Sequence, residues 1–338
     1  MSAEFLQEMV QKCYVARFSF VLYIIGEQTF KINNKHPIII TMHKFTKLIL
    51  DEYNRQGIKI TDQNESAAYV SPLVELSDAQ KDILSKGDGQ KPNQYKQINS
   101  STGLAVNYYK LLEELGEICE LVFEYKPAIP LKRSSKNANL DVFYKRNGTL
   151  YFVESKFLEP YYSANKDIND AYLDKDRYPI EVEAFSDDWH QLFEQSKEFK
   201  YLDVTQLCRH LLALYRYTHG YKDSTYQGEP VVFQSVMWKM TERFMNLLSS
   251  SERDEMNERV NTLKEEANRC HEMFNTLINK VGWSNMQFEI LHYNDILGEI
   301  KPSKYYNDFC KRYFFEQVLL QSLQKFEKEH EGLREEQK

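Results

Sequence analysis

The sequence predicts an α/β protein, a mixed β-sheet covered by helices. Three observations carry this. Residues 100–115 read as a helix, and three strand-like runs follow it before residue 158. Asn147-Gly148 separates two of those runs. Further along, long helical patterns alternate with single apolar strands. Strands grouped early with helices interleaved later suit a sheet layered with helices.

Taken in order, residues 1–41 hold strand-like stretches ("RFSFVLYIIGEQTFKINNKHPIII") with no clear partner. They read either as a hairpin on the main body or as an extension upstream of a start at Met42. "HKFTKLILDEYNRQG" is an amphipathic helix closed by glycine. Residues 61–100 are polar and turn-rich, a linking or wrapping segment. "TGLAVNYYKLLEEL" is a helix capped by Ser100 or Ser101, with Leu104, Tyr108, Leu111, Leu112 and Leu115 at helical spacing. The strands are "ICELVFEYKP", "ANLDVFYK" and "LYFVESKF". Asn-Gly between the last two signals a hairpin, whose turn length the sequence leaves open.

Residues 158–202 are charged, aromatic and irregular, an insertion with short helices. "DVTQLCRHLLALYRYTHG" is a leucine-striped helix begun by Asp203 or Thr205 and stopped at Gly220. "EPVVFQSVMWKM" is a buried strand, and "SERDEMNERVNTLKEEANRCHEMFNTLINKVG" a long polar-faced helix. "MQFEILHYNDIL" is the last strand. "YYNDFCKRYFFEQVLLQSLQKFEKEH" is a terminal helix. The expected organisation is an N-terminal extension and wrapping segment at 1–99 and a main domain at 100–338, with the insertion and C-terminal helices inside it.

Composition narrows the class without naming a function. The chain has 338 residues, 42% of them hydrophobic, and is rich in Tyr (23) and Phe (20), so it can build a large core. A net charge of −7 neither requires nor excludes a polyanionic partner, because a local basic surface can act alone. From Lys126 to Lys156 seven basic residues face two acids, a candidate basic flank. Five cysteines, an odd number without metal-site spacing, point to thiols in a reducing, cytoplasmic compartment. "FSFVLYIIG" and "HPIIITM" are shorter than the roughly 20 residues a bilayer span needs, so no membrane partner is expected. No phosphate-binding GxxxxGK[ST], GxSxG or HExxH motif is present.

The chemistry concentrates in "LDVFYKRNGTLYFVESKF". Alternation places Leu150, Phe152, Glu154 and Lys156 on one strand face and Asp141 with Phe143 on a face of its neighbour. Two close carboxylates repel unless a proton or cation sits between them. A hard divalent ion suits them, and Mg²⁺ characteristically takes one or two carboxylates and keeps positions for water and phosphate oxygens. A lysine beside them can stabilise the more negative transition state of phosphodiester hydrolysis.

These residues resemble the PD-(D/E)XK nuclease superfamily. Asp141 matches its first acid and Glu154-Ser155-Lys156 its (D/E)XK element, with Leu140 where a proline often stands. The resemblance covers about residues 100–300. The phrases "SSTGLAVN", "LDVFY", "ESKFLEPY" and "QLCRHLLAL" are similar to a bacterial restriction-endonuclease-like group. It implies an α-β-β-β-α-β core and a Mg²⁺-dependent DNA endonuclease in which Mn²⁺ can substitute. Asp141, Glu154 and the Ser155 carbonyl would hold the metal, and Lys156 would position the attacking water. Asn107 or Glu114, from the first helix, would be accessory. Gln206 and His210 resemble the Gln-xxx-Tyr element of RecB-like nucleases, with Gln206 on the water or a phosphate and His210 on DNA. Paired cuts would require a homodimer. A nuclease fold retained as a nucleic-acid-binding or assembly module is the alternative, and RNA is a further substrate to consider.

Overall fold

A computed structural model describes residues 43–86, 93–162, 168–222, 224–300 and 305–315. Residues 1–42, with the question of Met42, lie outside the described residues.

The chain enters through α1 (Lys44–Arg55), where the His43 side chain accepts the Phe45 N–H. A small ribbon follows, β1 (Asp62–Gln63) against β2 (Ala68–Tyr69), then α2 (Asp78–Ser85). Serine 77 and Gln80 close a reciprocal capping box on α2. The wrapping segment is thus partly regular, and it buries Ala68, Val70, Val74, Leu76, Leu84, Tyr95 and Ile98 in the main core.

The core begins with α3 (Ser101–Glu114), whose N-cap is Ser100. It continues through β3 (Cys119–Tyr125), β4 (Leu140–Arg146) and β5 (Thr149–Lys156). Asn147 and Gly148 alone join β4 to β5, both at positive φ (52° and 78°), as a two-residue I′ hairpin turn demands. The insertion contains α4 (Glu159–Tyr162), three 3₁₀ turns and α5 (Ser186–Ser196). Then come α6 (Val204–Thr218), β6 (Val231–Met237), α7 (Glu242–Met245), α8 (Ser250–Lys280) and β7 (Met286–His292). The short α9 (Tyr293–Ile296) and α10 (Tyr306–Arg312) end the description. This is the expected α-β-β-β-α-β order.

The sheet runs β3-β4-β5-β6-β7. The first two pairings are antiparallel, and β5, β6 and β7 are parallel. Register aligns Phe143, Phe152, Phe233 and Phe288 across four adjacent strands. That row is covered by α6 and α8, with Tyr217 on Phe152 (5.7 Å) and Phe274 on Phe288 (4.5 Å). Each such ring, fully buried, contributes roughly 1.5–3 kcal/mol. The opposite face carries Tyr144 and Tyr151, stacked at 4.7 Å, and is covered by α3 through Tyr109. Helix α3 and helix α6 therefore lie on opposite sides of the sheet.

Two elements stop earlier than the sequence pattern suggests. Strand β7 ends at His292 because Tyr293 turns inward, its hydroxyl 2.8 Å from Ser155 Oγ. Helix α10 ends at Arg312. The Tyr313 carbonyl there accepts the Trp238 indole N–H (2.8 Å), and Phe314, at φ 60°, packs on Phe244. The remainder of the expected terminal helix lies outside the described residues.

Candidate active site

The ladder between β4 and β5 runs from Arg146↔Thr149 to Val142↔Val153. One residue further, the same register sets Asp141 opposite Glu154, two positions beyond the Phe143–Phe152 pair on that face. Trp238 N–H takes the Lys156 carbonyl on the β6 side (2.8 Å). By alternation, Ser155 turns its N–H and C=O toward β4. Its N–H donates to Asp141 Oδ2 (2.7 Å), which fixes that carboxylate at the strand end. The Ser155 side chain points to the other face, where its hydroxyl meets Tyr293 and the Ser101 carbonyl.

Glu154 is 2% exposed and holds two partners. Lys156 Nζ donates to its Oε1 at 2.7 Å, and His210 Nε2 lies 3.0 Å from its Oε2. The His210 approach is at ion-pair distance but out of line for a hydrogen bond, so Oε2 and both ring nitrogens stay unsatisfied. Lys156 Nζ also donates to Gln206 Oε1 (2.9 Å). Asp203 sets Gln206 in place by capping α6: its carboxylate accepts the Gln206 backbone N–H (2.9 Å).

Electrostatics separate the two acids. Burial works against a charged Glu154, but the Lys156 ammonium, its hydrogen bond and the nearby His210 edge outweigh it and hold its pKa at about 2. Asp141 goes the other way. Desolvation, then the Glu154 and Glu124 carboxylates, push its carboxyl well above the usual range, and Lys156 and the Ser155 N–H offset only part of this. Asp141 keeps some exposed surface, and two neighbouring carboxylates crowd it. Burial favours a neutral Lys156, yet Glu154, Glu159 and Asp141 raise its pKa, so the ammonium persists at neutral pH.

The structure thus brings together Asp141, Glu154, Ser155, Lys156, Gln206 and His210. It does not bring Asn107 or Glu114. Both sit on α3, across the sheet from the acids. Asn107, 4% exposed, accepts the Leu73 N–H and donates to the Gly103 carbonyl and the Tyr313 hydroxyl. Glu114 is 54% exposed and faces Lys110 at 3.7 Å. The expectation of an accessory ligand from this helix is corrected accordingly. His210 is likewise corrected as a DNA contact: at 3% exposure it touches Glu154 and Phe233. Four of the seven basic residues of the flank are paired, Lys132, Lys145, Arg146 and Lys156 with Glu183, Glu120, Glu117 and Glu154.

Sequence reasoning missed Glu124 and Glu159. Register sets Glu124 across β3 from Asp141, as Phe123↔Val142 and Tyr125↔Leu140 flank that position. Glu159 accepts the Phe157 N–H (2.9 Å) and acts on Lys156. Strand pairing supplies the first signal, and proximity to "ESK" the second.

A family model described as Restriction Endonuclease associating with ARP matches residues 62–314. The chain belongs to this family. The match takes in the β1–β2 ribbon, the whole sheet and α10, so the site lies inside it. The five-stranded mixed sheet with helices on both faces is a restriction-endonuclease-like fold. No curated protein and no solved structure gives a significant match. A restriction-endonuclease-like family points to a nuclease that interacts with DNA. Among the described residues, no helix is long and apolar enough to cross a membrane.

Proposed function

We propose that the chain is a metal-dependent endonuclease of PD-(D/E)XK type that hydrolyses phosphodiester bonds in DNA. The observation that carries this is the meeting of Asp141, Glu154, Lys156 and Gln206 at the end of the β4–β5 hairpin, within a restriction-endonuclease-like family.

The residues fit a divalent cation in one respect and limit it in another. Glu154 Oε2 is a buried carboxylate oxygen without a hydrogen bond, and Asp141 is crowded by like charge that a cation would relieve. Among the described residues, no group of three or more acid, Cys or His side chains is set to hold a metal. Mg²⁺ or Mn²⁺ held by one or two carboxylates, with water and phosphate oxygens completing the shell, is consistent with both facts. Asp141 and Glu154 would hold it, with the Ser155 carbonyl, which faces the same side as the N–H bound to Asp141. When bound, it supplies polarisation of the phosphate and a more acidic water.

The chain's own residues do the rest. Lys156, an ammonium, donates hydrogen bonds and cannot act as a base; it stabilises negative charge developing on the phosphate. Gln206 engages Lys156 through Oε1 and keeps its amide N–H groups to orient a water or phosphate oxygen. His210 braces Glu154 from behind. Paired cuts would need two sites, hence a homodimer. The family's description also names association with ARP, and that partner is carried to this chain as part of the proposal.

The prior engagement of Glu154 by Lys156 and His210 favours a second reading, a weakly catalytic nucleic-acid-binding or assembly module. Cleavage of supercoiled, linear and single-stranded DNA with Mg²⁺ or Mn²⁺, against an EDTA control and Lys156→Ala, separates the two. Metal-dependent cutting lost in Lys156→Ala with binding retained is the expected result. Binding without cutting by the wild type selects the module, and RNA is then the next substrate.

A further inference from the structure

Arg209 lies three residues from Gln206 on α6, about 4.5 Å along the helix axis. Gln206, Arg209 and Arg216 are partly exposed on a helix that is otherwise mostly buried. At about 100° per residue they form one narrow stripe. At one end of the stripe Gln206 touches Lys156. At the other, Arg216 is spent: it donates to the Ile129 carbonyl and pairs with Glu181. Arg209 differs. No hydrogen bond or carboxylate among the described residues engages its guanidinium, and its Nε, like that of Arg216, is buried without a hydrogen-bond partner. A half-buried guanidinium with an unsatisfied N–H is costly, and such a group calls for a reason.

We infer that Arg209 is an anion-binding residue that receives a backbone phosphate of the substrate next to the scissile one. The inference rests on the nuclease reading above and adds a substrate contact to it. The guanidinium fork matches two phosphate oxygens, which its terminal N–H groups would meet because Nε itself is enclosed. The site's existing cation does not fill this role, because Lys156 is already committed to Glu154 and Gln206.

The test is binding of a labelled duplex and a labelled single strand, measured across a salt series without divalent metal. The proteins are full-length wild type, Arg209→Met and Arg209→Lys. Arg209→Met should weaken binding about tenfold and reduce the magnitude of the log–log salt slope by about one. Its melting temperature should not fall, because no described residue hydrogen-bonds or ion-pairs with the side chain it loses. Arg209→Lys should keep the slope while recovering only part of the affinity. Unchanged affinity and slope in Arg209→Met, in a protein whose Lys156-dependent cleavage stands, would overturn the Arg209 contact alone. If Arg209→Met melts lower, Arg209→Lys decides: failure to regain the slope overturns the contact. A wild type that neither binds nor cuts DNA removes both readings.

Discussion

Glu154 is the side chain on which the site turns, because it is almost fully enclosed and yet ionised. Lys156 holds one oxygen and His210 stands at the other. Replacing His210 with Phe keeps the ring volume against Phe233 but takes away the polar edge. The Glu154 carboxylate then loses a polar neighbour at Oε2 and its fixed direction. Cleavage should fall by one to two orders of magnitude, a loss of the size seen when a metal ligand loses its supporting partner. DNA binding should be unchanged; a variant that cuts as well as wild type would remove His210 from the site. Asn107 provides the contrast. Its three hydrogen bonds join α3, the Leu73 backbone and Tyr313, so Asn107→Ala should cost about 2–3 kcal/mol in a denaturant melt. Glu114→Gln should leave both stability and cleavage untouched. In the sequence these two residues share one helical face and were equivalent candidates. Nothing local distinguishes a helix that covers the acid face from one that covers the reverse. The choice is made by Tyr109 on Tyr144 and by Ser155 reaching back to Ser101, contacts between segments far apart in the chain.

At the scale of elements, the hairpin and α6 deliver the chemistry, and both were legible for a physical reason. The β4–β5 hairpin is written in apolar alternation and in Asn147-Gly148, whose left-handed backbone only a few residues accept without strain. Helix α6 is written in its leucine stripe and in Asp203. What the sequence left unreadable is the sharp end of an element when distant side chains set it. Tyr293 ends β7 through Ser155, and Tyr313 ends α10 through Trp238. Glu124 was hidden similarly, since its place beside Asp141 depends on the β3–β4 register. Asp203 offers a test at this scale. Asp203→Ala removes the acceptor of the Gln206 N–H and should cost about 1 kcal/mol. The first turn of α6 frays, and Gln206 with it, so cleavage should fall further than that stability loss explains. A drop in stability with full activity would show that Gln206 does not need the cap.

For the whole molecule, α1 and the segment after it share one continuous core with the sheet. Phe45 meets Phe244 at 5.8 Å, and the Tyr53 hydroxyl donates to the Arg312 carbonyl at 2.7 Å. The polar link in this seam is Glu52, 4% exposed, between Arg55 and Gln56 of its own helical end and Arg243 of α7. Hydrogen bonding from Arg55, opposed by burial and then joined by Arg243 and Gln56, lowers the Glu52 pKa from 4.5 to about 2. The sign follows from linkage. Above 4.5 the carboxylate is charged in both folded and unfolded chains, and its contribution to stability is complete. As pH falls from 4.5 toward 2, the unfolded chain takes up the proton first, so stability is lost across that window. Glu52→Gln should therefore lower stability at pH 7, by roughly 1.5–3 kcal/mol for the lost charged hydrogen bonds. The same variant should unfold less steeply in acid, because one proton fewer is bound on unfolding between those limits. Denaturant melts of both proteins at neutral pH and through the acid range check it. If the two curves stay parallel from pH 7 to pH 2, Glu52 is not the group that ties α1 to α7.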